Sequence, residues 1–284
     1  MDDIKIITAY CIIDEAMHSL GHKSHKLAQV TDAEVLTVAM VAAMYYQNHH
    51  ERALFVMTGM RYLSKPLSTS RFNRRLHSLA AQGWLEHIME LVGHLFSQQE
   101  VVYIIDSIPV PVCNPVRAHR CRKGLVRGRL AAPRHYFGKC KAKRWSFYGW
   151  RLHLICTQEG VPVAFQMLPA VWHDLTPIYE MTYDLPSGAR VYADKGYVSA
   201  LVKRTLRPTL RREGVHLIAK AKKSMKRDNT FEEWCGLRNF RQRIESANSQ
   251  LKSMGIQDLH ARTDAGLSIK VLASLLALAC INMF

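Results

Sequence analysis

Between Ser107 and Gln158 the chain has no aspartate and no glutamate. The same interval holds twelve lysines and arginines, from Arg117 to Arg151, interleaved with Tyr136, Phe137, Trp145 and Tyr148. A run of one sign repels itself, so it is expected to be loose alone and ordered by phosphates. Arginine beside aromatic rings also suits stacking on exposed bases. The plainer alternative is a solvated loop followed by an ordinary strand. Over all 284 residues, 39 Lys and Arg stand against 23 Asp and Glu, so the formal charge is 39 − 23 = +16. Such an excess favours a polyanionic partner, with nucleic acid the first candidate and an anionic membrane the rival.

Long apolar runs are also missing. The longest tract, Val271 to Phe284, is 14 residues and includes Ser274 and Asn282. A membrane span needs about 20, so this tract reads as a buried helix and no membrane partner is expected. The opening "MDDIKIITAY" lacks the basic-then-apolar order of a signal peptide. Seven scattered cysteines do not form a disulfide framework. Together these lead us to expect a reduced, cytoplasmic protein. Cys113, His119, Cys121, His135 and Cys140 do not have the paired short spacings of a structural zinc site.

The pattern divides the chain in two. Residues 1–98 read as helical, with Thr31 and Glu34 forming a capping box. In "PLSTSRFNRRLHSLAAQGW", Ser68 or Thr69 caps a helix whose Phe72, Leu76 and Leu79 point inward. Arg71, Asn73, Arg74 and Arg75 then face outward, as in the recognition element of a helix-turn-helix. The alternative is a surface helix with solvated arginines. Residues 99–284 read as a mixed sheet flanked by helices: strands in "VVYIID", "ARVYAD" and "VHLIAKA", and a hairpin turning at Glu159-Gly160. The fold class is α/β, preceded by an all-α region.

Asp106 and Asp194 share a context. Each follows a short apolar run, "VVYII" and "ARVYA", so each is expected at a strand's C-terminal end. If those strands are parallel neighbours, both carboxylates emerge at one edge of one sheet, where open sheets bind ligands. Two such carboxylates repel unless cations neutralise them. Mg²⁺, a hard ion held by carboxylates and phosphate, suits that role. In "LRNFRQRIESANSQLKSM", Leu237, Phe240, Ile244, Ala247 and Leu251 form a buried helical stripe. Arg238, Arg241, Glu245 and Lys252 run along a second stripe beside it, which lets Glu245 point at the strand ends. Singly, each carboxylate has a simpler reading, as a turn residue or an intrahelical salt bridge.

The pieces "IIDSIPVPVCN", "RWSFYGWRLHLICT", "YADKGY" and "IESANSQLK" resemble insertion-sequence DDE transposases, closest to the insertion-sequence 982 group, over nearly the whole chain. The resemblance implies a ribonuclease H-like catalytic domain over 99–284 and a DNA-binding region over 1–98. It implies a metal-binding catalytic triad of Asp106, Asp194 and Glu245 with two Mg²⁺ ions, Mn²⁺ being a substitute. A family signature, Y-x2-R-x3-E-x6-K, is matched by Arg241, Glu245 and Lys252, with Arg238 where the tyrosine belongs. The implied reaction is cleavage at the ends of the insertion sequence, then attack of the freed 3′-hydroxyl on target DNA, with a homodimer in the DNA complex. The expected DNA contacts are Arg241, Lys252, Arg238, Lys195, His173, Arg71, Arg74, Arg75 and Arg144. Two alternatives stay open: a metal-dependent nuclease of the same fold, and an inactive DNA-binding protein.

Overall fold

The computed structural model describes residues 2–121, 133–140, 145–172, 174, 176–197, 207–220 and 229–283. The chain folds as two compact units, one of residues 1–92 with 250–284, the other of residues 93–249. The sequence pattern alone divides the chain at 98/99 and keeps 250–284 with the sheet. Chain contacts instead group that segment with the N-terminal helices.

The helical unit begins with α1 (Asp3–Ser19), α2 (Asp32–Tyr46), α3 (His50–Gly59) and α4 (Thr69–Ala81), and α5 (Trp84–Ser97) follows in the chain. The capping box forms at α2: the Glu34 N–H donates to Thr31 Oγ1 at 3.1 Å, and the Thr31 N–H donates to Glu34 Oε2 at 2.5 Å. Helix α2 is buried on nearly every side, as a helix apolar all round must be. It packs against α9 (Asp264–Asn282), the final helix. Asn48, fully buried with φ +64°, donates from Nδ2 to the Met254 carbonyl and to Ser274 Oγ, both at 2.9 Å. It thereby ties the beginning of this unit to its end. By length and composition α9 could cross a membrane, but 67% of its apolar window is buried. It is longer than the 14-residue tract because its first turns mix in polar residues, capped by Thr263.

The other unit holds a six-stranded mixed sheet in the order β2-β3-β1-β5-β6. Its strands are β1 (Val102–Cys113), β2 (Phe137–Cys140), β3 (Trp145–Thr157), β4 (Pro162–Pro169), β5 (Arg190–Ala193) and β6 (His216–Ala219). β4 pairs with β3 on the flank that β2 also occupies. The β3–β4 turn falls where expected, with Gly160 at φ +97°. β1 pairs antiparallel with β3 and parallel with β5, and β5 pairs parallel with β6. This is a ribonuclease H-like sheet.

Strand alternation then sorts the residues by face. Tyr103, Ile105, Val191, Ala193, Leu217 and Ala219 join one core beside α6 (Ile178–Thr182) and α7 (Arg207–Arg212). Val102, Tyr192 and Ile218 point the other way, against Leu237 and Phe240 of α8 (Phe231–Ser253). Gly236 permits that approach, because a Cβ there would stand 2.5 Å from the Tyr192 ring. Pro208 sits in the first turn of α7, where a missing N–H costs nothing.

One expectation needs correction. β1 does not end at Asp106 but runs on to Cys113, because β3 accompanies it that far. Pro109 and Pro111 fit there because β5 has already ended and β1 is paired on one flank only.

Candidate active site

The parallel β1–β5 ladder closes at Ile105 opposite Ala193. The next residue on each strand is a carboxylate, Asp106 and Asp194. By alternation both lie on the sheet face that α8 covers. Asp106 therefore marks the point where β1 loses one neighbour, which gives a mid-strand carboxylate an open side. Lys220, just after β6, stands one strand further along, and its N–H donates to the Ala193 carbonyl at 3.1 Å. The buried stripe of α8 includes Ile244, Ala247 and Leu251. Glu245, beside that stripe, is exposed and turned towards the strand ends. Asp106, Asp194 and Glu245 all line one cavity of about 240 Å³.

Asp106 is half-buried, and its pKa is pushed up to about 6. Burial is the main cause, and the charges of Asp194 and Asp174 add to it. The Ser107 backbone N–H and the Asn248 side chain oppose the rise. Asn248, itself buried, donates from Nδ2 to Asp106 Oδ2 at 2.8 Å. On the neighbouring position, Ser107 Oγ donates to Asp174 Oδ1 at 3.1 Å and accepts from Arg151 Nη1 at 3.2 Å. Arg151 Nη1 stands 3.9 Å from Asp174 Oδ1.

The donor chemistry fits a hard divalent cation: three carboxylates around one cavity, with the half-buried one destabilised by its like-charged neighbours. Among the described residues, no three His, Cys, Asp or Glu side chains already converge closely enough to hold an ion. Asp106 is fixed by hydrogen bonds, whereas Asp194 and Glu245 are exposed.

The other expected contacts divide. Arg238 lines the same cavity, its guanidinium 5.6 Å from the centre of the Trp234 ring. Lys195, in the turn after Asp194, and Lys252, on α8, are exposed. His173 and Arg144 lie outside the described residues, as does most of the basic stretch from 122 to 144, and Arg241 is placed only as a position on α8. In the helical unit, Phe72, Leu76 and Leu79 face inward, as the pattern of α4 predicts. Arg71 and Arg74 are exposed and line a cavity of about 610 Å³ with His25. Arg75 differs: it bonds to the Asp32 carboxylate and donates to the Val30 carbonyl at 2.6 Å. Burial pushes the Asp32 pKa up, but contacts from Arg75 and His22 outweigh it and hold the carboxyl below its usual range. Arg75 thus fastens α4 to the start of α2.

The sequence reading missed Asn248, Trp234 and Lys220. Lys220 follows a short apolar strand, as Asp194 does, so its position was readable. Trp234 lies three residues before the apolar stripe beginning at Leu237, in the first turn of α8. Asn248 had no signal, because its partner is 142 residues away.

Asp106 and Asp194, each one residue past the end of the parallel β1–β5 ladder, thus share a cavity with a helical glutamate on one face of a ribonuclease H-like sheet. The family model described as "Transposase DDE domain" matches residues 96–264, and the chain belongs to that family. The match is to the DDE domain as a whole and assigns no insertion-sequence group. No curated protein and no solved structure matches the chain.

Proposed function

We propose that this DDE transposase cuts DNA at the ends of its own insertion sequence and joins the freed 3′ ends to target DNA, with Asp106, Asp194 and Glu245 holding Mg²⁺. The observation that carries this reading is the adjacent register of Asp106 and Asp194 on the face bearing Glu245, around one cavity. The bound ions would activate the attacking oxygen and stabilise the departing 3′-oxygen.

In the first step a water oxygen bonds to the scissile phosphorus and the bond to the 3′-oxygen breaks, leaving a 3′-hydroxyl. In the second, that hydroxyl attacks a target phosphorus and displaces the target's own 3′-oxygen. No covalent bond to the protein forms, so no serine or tyrosine nucleophile is required. Asp106 is held by Asn248 and the Ser107 N–H. Ile104, Trp234 and Leu237 belong to the apolar part of the cavity wall. Arg238, Arg241 and Lys195 contact phosphates near the cut. Arg71 and Arg74 engage the element's ends through α4, so the helical unit serves recognition and the sheet unit serves chemistry. A homodimer brings the two ends together.

The test uses DNA carrying this gene with its native flanks, incubated with Mg²⁺ and the wild-type or Asp194→Asn protein. New 3′ ends at discrete flanking positions, joined to other DNA and absent with the variant, are expected. Cutting without joining points to a nuclease, and metal-independent binding without cutting to an inactive descendant.

A further inference from the structure

Asp106 sits in the middle of a strand, and a mid-strand carboxylate has few ways to be held on an open flank. Its backbone neighbour supplies one hydrogen bond, from the Ser107 N–H. The side-chain hydrogen bond to it described in the structure comes from α8: Asn248 Nδ2 to Asp106 Oδ2, 2.8 Å. Asn248 is 7% exposed, so this bond forms away from water, where it is strong and costly to lose. The donor is neutral. A lysine or arginine there would neutralise Asp106 and compete with a bound cation, whereas an amide fixes one oxygen and leaves the charge in place.

Its position on α8 adds a second role. Asn248 lies three residues after Glu245, on the adjoining face of the same helical turn. A bond from Asn248 to β1 therefore also sets how far Glu245 stands from Asp106. One side chain fixes both the orientation of one carboxylate and the helix carrying another.

We infer that Asn248 is a positioning residue for the proposed metal site, registering α8 against β1 so that Asp106 and Glu245 present their oxygens to a common cation. This rests on the triad reading above, and the test separates the two.

Terbium(III), a hard oxygen-seeking ion, is titrated into the full-length protein, with Trp234 and Tyr192 of the cavity wall as sensitisers. Wild type, Asp194→Asn, Asn248→Ala, Asn248→Leu and Ser249→Ala are compared. Leu keeps roughly the bulk of Asn and guards against a folding defect, and Ser249 is an exposed neighbour on the same helix. Asp194→Asn is expected to abolish the emission. Both Asn248 variants are expected to shift its midpoint upward about ten-fold or more, the fold-change a hydrogen bond to a charged group is worth. Ser249→Ala should match wild type. Cleavage by the Asn248 variants should recover as Mg²⁺ is raised, with metal-free DNA binding unchanged. An unshifted midpoint in both Asn248 variants, with Asp194→Asn dark, overturns the role of Asn248 alone. Wild-type emission from Asp194→Asn overturns the triad reading and this inference with it.

Discussion

Replacing Asp106 with asparagine should make the metal-free protein more stable at neutral pH, although it should also abolish catalysis. A pKa of about 6, against 3.8 for an ordinary aspartate, means that the folded state holds the charged form unwillingly. The sign follows from linkage. Below the unfolded value the carboxyl is protonated in both states and imposes no penalty. As pH rises through about 6, the folded protein must ionise it against burial and the charges of Asp194 and Asp174. At 1.36 kcal/mol per decade the full penalty is roughly 3 kcal/mol, and partial solvent access reduces it to about 2 kcal/mol. For a unit of this size that is about 4–8 °C in Tm. Asparagine keeps an oxygen for the Asn248 amide to bond and carries no charge. Thermal denaturation of wild type and Asp106→Asn, without divalent metal, should show the variant ahead at pH 7.5 and the gap closing by about pH 4. Mg²⁺ should raise the wild-type Tm and leave the variant unmoved. A variant that melts with or below wild type at pH 7.5, or a gap independent of pH, would refute the reasoning.

Other outcomes follow from the same contacts. Arg75→Ala strips the partner from a half-buried Asp32 and should cost about 1–3 kcal/mol by denaturant melts. Because the Asp32 carboxyl is held low in the folded state, that loss should be present at neutral pH and shrink as pH falls through the folded value. Arg71→Ala and Arg74→Ala should leave Tm unchanged and weaken DNA binding, each lowering the salt-dependence slope by about 1 in filter binding at several salt concentrations. Asn48→Ala removes two buried hydrogen bonds and places a Cβ-bearing residue with no local partner at φ +64°, so a loss of about 2–4 kcal/mol is expected by urea titration. Gly149→Ala would set a Cβ 2.4 Å from the Val110 carbonyl oxygen between β1 and β3, and should cost about 3 kcal/mol or leave the protein insoluble on expression.

The parts of this molecule that could be read from sequence are those governed by local rules. Apolar runs ending in a carboxylate, the capping box at Thr31, the Gly160 turn and the buried stripe of α8 all declare themselves within a few residues. The neighbouring of β1 and β5 was reachable because short parallel strands of matching pattern tend to pair. What escaped was set by distant partners. β1 runs past Asp106 because β3 lies alongside, which no residue of β1 announces. Arg75 looks like any exposed arginine of α4 until Asp32, 43 residues earlier, is placed beside it. Asn248 is one polar residue on a polar helix until the fold brings β1 to it. Residues 250–284 read as a continuation of the sheet region only because they follow it in the chain.

That last arrangement bears on how the protein is made. The helical unit is split, with residues 93–249 synthesised between its two parts. At ribosomal speeds of about 5–20 residues per second, roughly 10–40 s pass between the emergence of α4 and that of α9. During that interval α2 is an apolar helix without its mate, while the sheet and its aspartates can already be complete. The nascent chain is thus most exposed to aggregation and chaperone capture at the end that is finished first, and a chain cut short after residue 249 would keep the aspartates and Glu245 but lose the helix against which α2 packs.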